Sequence, residues 1–261
     1  MRLYNGECGK IMRDNIQENS VDLVVTSPPY DNLRDYNTKK YQGNNYEKIT
    51  SELYRVLKPG GAVVWVVSDQ VVKGSETGSS FRQALMFMEQ GFRLHDTMIW
   101  VKDTSSFPEK VRYNQVFEYM FVFSKGKPKT FNPIKDRKNK YAGTKVHGTY
   151  RTKEGSTVSR GEKWSQSIVS EFGKRNNVWE IPTEKKNKTG HPAVFPLSLA
   201  KDHINSWSNP GDTVLDPFMG SGTTGAACRE LGRDFVGIEM DENYLQIAKE
   251  RIEESCLPGC L

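Results

Sequence analysis

Two short stretches of the 261-residue chain hold side chains whose types and spacing can do chemistry. The first runs from Thr213 to Ile252 (TVLDPFMGSGTTGAACRELGRDFVGIEMDENYLQIAKERI). Gly220, Gly222 and Gly225 fit G-x-G-x-x-G between an apolar run and a helical pattern, and Glu239 closes the next apolar run 19 residues after Gly220. This is the context of a nucleotide-type cofactor, in which glycines admit a ligand close to the backbone and a carboxylate accepts from ribose hydroxyls. Asp216 precedes the loop and is followed by Pro217 and Phe218. A carboxylate there opposes a pyrophosphate and suits an ammonium, so charge favours S-adenosylmethionine over a dinucleotide such as NAD. On the residues alone both stay open. The second stretch is Thr26-Ser27-Pro28-Pro29-Tyr30. Consecutive prolines stiffen a loop. Ser27 Oγ and the carbonyls then make a fixed set of acceptors for an exocyclic amine, and Tyr30 offers a flat face to a base. The plainer alternative is a Pro-Pro turn that only ends a strand.

These residues must be positioned by regular elements. Val21–Ser27 reads as a buried strand that stops at Pro28-Pro29. Ile49–Leu57 reads as a helix ending at Lys58-Pro59-Gly60-Gly61, and Ala62–Val67 as a second buried strand. Phe81–Gln90 has helical spacing with Gly91 as its cap, and Leu94–Val101 and Val116–Phe123 are strand candidates. After a long interruption, Leu197–Trp207 is helical and Thr213–Phe218 is a strand. The glycine loop and a helix ending near Gly232 come next, then strand Phe235–Glu239 and helix Asp241–Glu254. The expected fold class is α/β, a doubly wound, mostly parallel sheet with helices on both faces.

The interruption, residues 125–190, holds 17 Lys/Arg against 6 Asp/Glu, a local charge of +11 in a chain whose net charge is +5. Phe131, Tyr141, Tyr150, Trp164, Phe172 and Trp179 are scattered through it. A basic segment in an otherwise acidic chain points to a polyanion partner, with a solvated Lys-rich loop as the alternative. The organisation expected is 1–124 and 191–261 as two parts of one catalytic domain, with 125–190 inserted between them. No apolar run is long enough for a membrane span, and MRLYNGECGK has no signal-peptide core, so a cytoplasmic protein is expected. Cys8, Cys228, Cys256 and Cys260 form no CxxC pair and read as free thiols. His147 and His203 lack metal-ligand spacing, so no catalytic metal is expected.

Taken together, the two stretches resemble those of the amino-group DNA methyltransferases of restriction–modification systems. Asp216–Thr224 is similar to their cofactor motif and Thr26–Tyr30 to their catalytic motif, in the permuted order of the β group. Asn5–Tyr30, Leu53–Gly61, Met98–Lys102 and His191–Pro196 agree, so the resemblance covers 1–124 and 191–261. Residues 125–190 take the place of the family's target-recognition region.

The resemblance implies a Rossmann-like methyltransferase fold, S-adenosylmethionine as cofactor and double-stranded DNA as partner. It also implies a cognate restriction endonuclease in the usual setting, a bacterial, archaeal or phage origin, and either a monomer or a homodimer. The catalytic residues it implies are Ser27, Pro28, Pro29 and Tyr30. In the cofactor motif it implies Asp216, Phe218, Gly220, Ser221, Gly222 and Thr223, with Glu239 and Met240 following. Glu7 stands where the family carries Asp, facing the cofactor adenine with Cys8 beside it, and His191 and Pro192 are placed at the methionine carboxylate. Ser-Pro-Pro-Tyr in the family usually accompanies methylation of cytosine N4, and Asp-Pro-Pro-Tyr that of adenine N6. Ser27 therefore points to cytosine N4, with adenine N6 as the alternative. C5-cytosine chemistry is disfavoured, because it needs a cysteine nucleophile and no cysteine here follows a proline. Remoter readings are an NAD(P) oxidoreductase and a DNA-binding module with a vestigial pocket.

Overall fold

The structure, a computed structural model, describes residues 1–29, 46–104, 111–146, 148–159, 167–184 and 195–255. Its centre is an eight-stranded sheet. In chain order the strands are β1 (Arg2–Asn5), β2 (Val21–Thr26), β3 (Leu57–Val67) and β4 (Arg93–Val101). They continue with β5 (Phe117–Ser124), β6 (Val178–Glu180), β7 (Thr213–Asp216) and β8 (Asp234–Glu239). Across the sheet the order is β1-β8-β7-β2-β3-β5-β4-β6. Within it β5 alone runs antiparallel to its neighbours; the other pairings are parallel. The fold is thus the expected α/β class with a mostly parallel sheet.

The strands are buried on both faces, so their side chains split by alternation. Val24, Val63, Trp65, Phe121, Leu215 and Val236 enter one apolar core with Met12, Ile49, Leu53 and Phe87 from the helices. Their neighbours Leu23, Val25, Val64, Val122 and Val214 are equally buried on the opposite face, where Leu199, Ile204 and Ala226 lie in the covering helices. The helices are α1 (Cys8–Asn15), α2 (Tyr46–Val56), α3 (Ser79–Glu89), α4 (Leu197–Trp207), α5 (Thr223–Glu230) and α6 (Glu242–Glu254). After α3, Gly91 takes the cap position expected of it, with the Phe92 N–H donating to Phe87 O at 3.2 Å. Among the described residues no helix is long and apolar enough to cross a membrane.

One expected turn is instead part of a strand. Lys58–Gly61 lies inside β3, where the ladder to β2 jumps from Val21↔Leu57 to Leu23↔Ala62. The bulge sits where Pro59, which has no N–H, cannot donate to a ladder.

Topology sets the position of the site. From β2 the chain crosses through α2 to β3 on one side, and from β7 through α5 to β8 on the other. The crevice at the carboxyl ends of β2 and β7 is therefore a topological switch point, where open α/β sheets bind ligands.

Gly225 shows how tightly α5 is held there. A Cβ at this position would stand 2.3 Å from Ile252 Cδ1 and 2.7 Å from Phe235 Cε1. In an open helix Ala is better than Gly by ~1 kcal/mol. Here Gly225→Ala is expected to destabilise the protein by about 1–3 kcal/mol, the cost of overpacking. Urea melts of the two proteins measure it, and equal or greater stability in the variant would show that α6 yields freely.

The described residues divide into two compact units, 1–132 with 177–261, and 133–176. The second unit is narrower than the basic segment 125–190, since β6 joins the main sheet and Trp179 stacks on His203 at 4.5 Å. Residues 133–176 carry 11 Lys/Arg against 4 Asp/Glu. Thr149–Arg151 pairs antiparallel with Thr157–Ser159, and Arg137–Lys138 with Phe172–Gly173. Lys135, Arg137, Lys138, Lys140, Lys145, Arg151, Lys153 and Lys174 are exposed, as are Tyr141 and Phe172.

Candidate active site

Asp216 ends β7 and is 1% exposed. Its carboxylate accepts three hydrogen bonds. Thr26 Oγ1 at 2.6 Å and the Phe218 N–H at 3.1 Å donate to Oδ1, and Thr224 Oγ1 at 2.7 Å donates to Oδ2. Burial pushes the carboxyl up to about 6; the three donors oppose that rise, and the nearby Glu239 charge adds to it.

Glu239 ends β8 and organises the glycine loop. Its Oε2 accepts the Gly220 N–H at 2.8 Å and its Oε1 the Asp241 N–H at 2.9 Å. Burial lifts this carboxyl above the usual range as well, partly offset by those backbone donors. Asp241 in turn caps α6, accepting from Asn243 N and Tyr244 N.

The glycine loop runs between the two acids. The Met219 N–H donates to Ile238 O at 3.0 Å, tying the loop to β8. Gly222 has φ +81, and a Cβ on it would lie 2.9 Å from Ala248 Cβ. Gly222 and Gly225 thus both serve helix packing, whereas their sequence pattern points to ligand approach. Ser221 and Thr223 are buried, and Arg251 Nη1 donates to Thr223 Oγ1 at 3.0 Å. Met240 is 40% exposed just beyond Glu239.

β1 brings the amino-terminal residues to the same edge. Asn5 pairs with Glu239, and its side chain donates to Glu239 O at 3.1 Å. Glu7 is the N-cap of α1. Its Oε1 accepts the Gly9 N–H at 2.9 Å and its Oε2 the Lys10 N–H at 2.7 Å. Cys8 is buried behind it. The Glu7 carboxylate is thus engaged by its own helix and keeps its remaining lone pairs.

On the other side of the switch point, Ser27 is half-buried at the end of β2, next to the fully buried Thr26. Pro28 is buried and Pro29 half-buried. The Pro29 carbonyl accepts from Tyr46 Oη at 2.9 Å. The Tyr46 ring meets Trp65 edge-on at 6.3 Å, and Trp65 meets Phe218 edge-on at 6.0 Å. Trp65 is itself fixed by its Nε1 donating to Gln83 Oε1 at 2.8 Å. An aromatic bridge therefore runs from the Pro-Pro loop to the cofactor loop. Nothing in the sequence around Tyr46 or Trp65 signals this: Tyr46 lies before the helix expected at Ile49–Leu57, and Trp65 reads as one residue of an apolar strand run.

Of the sequence-derived site residues, the structure brings Ser27, Pro28, Pro29, Glu7, Cys8, Asp216, Phe218, Gly220, Ser221, Gly222, Thr223, Glu239 and Met240 to one edge of the sheet. Tyr30, His191 and Pro192 lie outside the described residues.

The donor set fits S-adenosylmethionine. Two carboxylates of raised pKa, the buried Asp216 and the half-buried Glu239, flank the glycine loop, which suits a ligand with an ammonium, a sulfonium and a ribose and no phosphate. A pyrophosphate would add negative charge between them.

Comparison with known proteins agrees. A family model for DNA methylases that act on N6 or N4 matches residues 21–250. The orphan methyltransferase M.BamHII of Bacillus amyloliquefaciens is 54% identical over 250 residues, covering 93% of this chain and 92% of that protein. The crystal structure of the M1.HpyAVI–SAM complex superposes with a TM-score of 0.65 at 27% identity, covering 96% of this chain and 98% of that one. The cytosine-N4-specific PvuII DNA methyltransferase shares the fold, with a TM-score of 0.70 at 21% identity over 99% of this chain and 87% of that one.

Proposed function

The chain belongs to the N6/N4 DNA methylase family, a family of S-adenosylmethionine-dependent enzymes, and we propose that its target is the exocyclic N4 amine of cytosine in duplex DNA. The observation that carries the base assignment is Ser27 at the head of the Pro-Pro loop, on the carboxyl end of β2.

An exocyclic amine is conjugated with its ring and is a poor nucleophile. Ser27 Oγ and the Pro28 carbonyl accept its two hydrogens and turn the nitrogen lone pair out of conjugation, toward the cofactor. When bound, the cofactor supplies a methyl group activated by its sulfonium. The protein's part is orientation and a dry, preorganised field. No covalent intermediate with the protein forms, and the proton displaced from the nitrogen leaves to water. The amine is paired in the duplex, so the base is flipped out, and Tyr30 supplies the stacking face.

On the cofactor side, Glu239 accepts from the ribose hydroxyls with the lone pairs that Gly220 and Asp241 leave free. Phe218 and Met240 would pack against the adenosine, and the remaining lone pairs of Glu7, with Cys8 beside it, would accept from the adenine amino group. Gly220, Ser221, Gly222 and Thr223 would line the cofactor beneath, and the family resemblance assigns His191 and Pro192, outside the described residues, to its methionine carboxylate. Asp216 acts on the ammonium through its charge in a low-dielectric setting and through the remaining lone pairs of Oδ2. The basic unit 133–176, with its exposed Lys, Arg and aromatic side chains, serves as the DNA-reading element.

Mass spectrometry of nucleosides from duplex DNA treated with the protein and labelled S-adenosylmethionine tests the base assignment. N4-methylcytosine is the expected product. N6-methyladenine alone would reassign the base and leave the cofactor chemistry in place.

A further inference from the structure

We propose that Thr26 and Thr224 are positioning residues that act through Asp216, clamping its carboxylate between the catalytic strand and the cofactor helix. The inference rests on the reading of Asp216 as the partner of the cofactor ammonium. It goes beyond that reading by assigning work to two hydroxyls that touch neither substrate nor cofactor.

The geometry is specific. Thr26 is the last residue of β2, directly before Ser27, and its hydroxyl is 2.6 Å from Asp216 Oδ1. Thr224 is in the first turn of α5, and its hydroxyl is 2.7 Å from Oδ2 and 3.3 Å from Val25 O. All three side chains are buried. β2 and β7 are adjacent parallel strands, with registered pairs Val214↔Leu23 and Leu215↔Val24. Beyond that ladder, at the ligand edge, the carboxylate and its two hydroxyl donors continue the link between the strands.

Two consequences follow. First, both hydroxyls donate to the ionised carboxylate and stabilise it against burial, so each keeps Asp216 charged at neutral pH. The other titratable groups facing Asp216 do not do this. The Glu239 charge on β8 opposes ionisation, and the Cys228 thiol on α5 is held neutral by its own burial. Second, Ser27 is placed by an anchor one residue away, so the same carboxylate that attracts the cofactor fixes the strand end that holds the target amine.

The test measures S-adenosylmethionine binding by calorimetry from pH 5 to 9, in wild type, Thr26→Val, Thr26→Ser, Thr224→Val and Asp216→Asn. Valine matches threonine in shape and lacks the donor. Each valine variant is expected to shift the acidic fall of affinity upward by about one pH unit, which is about tenfold weaker binding within the shifted window. Thr26→Ser keeps the hydroxyl and is expected to retain the wild-type midpoint, even where the lost methyl lowers its melting temperature. At pH 9, where the carboxylate is ionised throughout, Thr26→Val at saturating cofactor is expected to keep a lowered kcat, because Ser27 has lost its anchor. A folded valine variant with the wild-type midpoint overturns the proposal, whatever its kcat. Should Thr26→Val not fold, Thr224→Val carries the same decision. If Asp216→Asn binds the cofactor as wild type does, the reading of Asp216 falls instead, and the two failures are told apart.

Discussion

Ser27→Ala is expected to lower single-turnover methyl transfer about 100-fold, the size of effect seen when one preorganised transition-state hydrogen-bond partner is removed. Cofactor affinity by calorimetry should stay within about twofold, since Ser27 is assigned to the amine and not to the cofactor. The reason lies in where the acceptor sits. Ser27 is half-buried on the strand end beside Asp216's anchor, and the Pro29 carbonyl two residues on is pinned by Tyr46. Such a group costs little reorganisation when the amine loses its conjugation, so its contribution appears in the transition state and not in the ground state. The loss should therefore fall on kcat, with little change in the KM for DNA. Unchanged turnover in the variant would remove Ser27 from the reaction.

The legible parts of the molecule were those where one pattern had one physical cause. α4 is legible at Leu197–Trp207, because apolar residues recur at helical intervals and a Pro precedes them. The buried strands β2 and β8 were visible as apolar runs, since both faces of the sheet are covered. β1 and α1 gave no such signal. The strand has only four residues, none of them fully buried, and the eight-residue helix depends on the Glu7 cap and on docking against α2. Within the site, the acids and glycines stood out by type and spacing. What the residues do for one another did not. Glu239 holds Gly220, Thr26 meets Asp216 across 190 positions, and Tyr46 reaches back to Pro29, all of which need the fold to bring distant segments together. Gly225 was visible as a motif glycine, yet its reason is a helix crossing that no local pattern encodes.

Asp216→Asn is expected to make the cofactor-free protein more stable at pH 8 and worse at binding its cofactor. The carboxyl titrates near 3.8 in an unfolded chain and is pushed up to about 6 by burial in the fold. Between those values the folded chain holds a proton that the unfolded chain has lost, so stability falls as pH rises through the window. Above about 6 the full cost of the buried charge remains. Asparagine removes that cost and can still satisfy its neighbours. Its Oδ1 keeps the Thr26 and Phe218 donors, and its Nδ2 donates to Thr224 Oγ1, whose own proton turns to Val25 O. The expected gain at pH 8 is about 1–3 kcal/mol, or a rise of roughly 2–10 °C in melting temperature. It should shrink as the pH is lowered toward 4, where aspartate is protonated in the fold and carries no charge penalty. Over the same change, affinity for S-adenosylmethionine at pH 8 should fall roughly 30-fold, about 2 kcal/mol, because the ammonium loses a charged partner in a dry site. Thermal melts without cofactor at pH 8 and pH 4.5, together with calorimetry at pH 8, give both halves. A variant that is less stable at pH 8 than at pH 4.5 relative to wild type would mean that the ionised carboxylate is a net support of the fold. A variant stabilised at pH 8 that binds the cofactor unchanged would leave the buried charge at the switch point with no part in cofactor recognition.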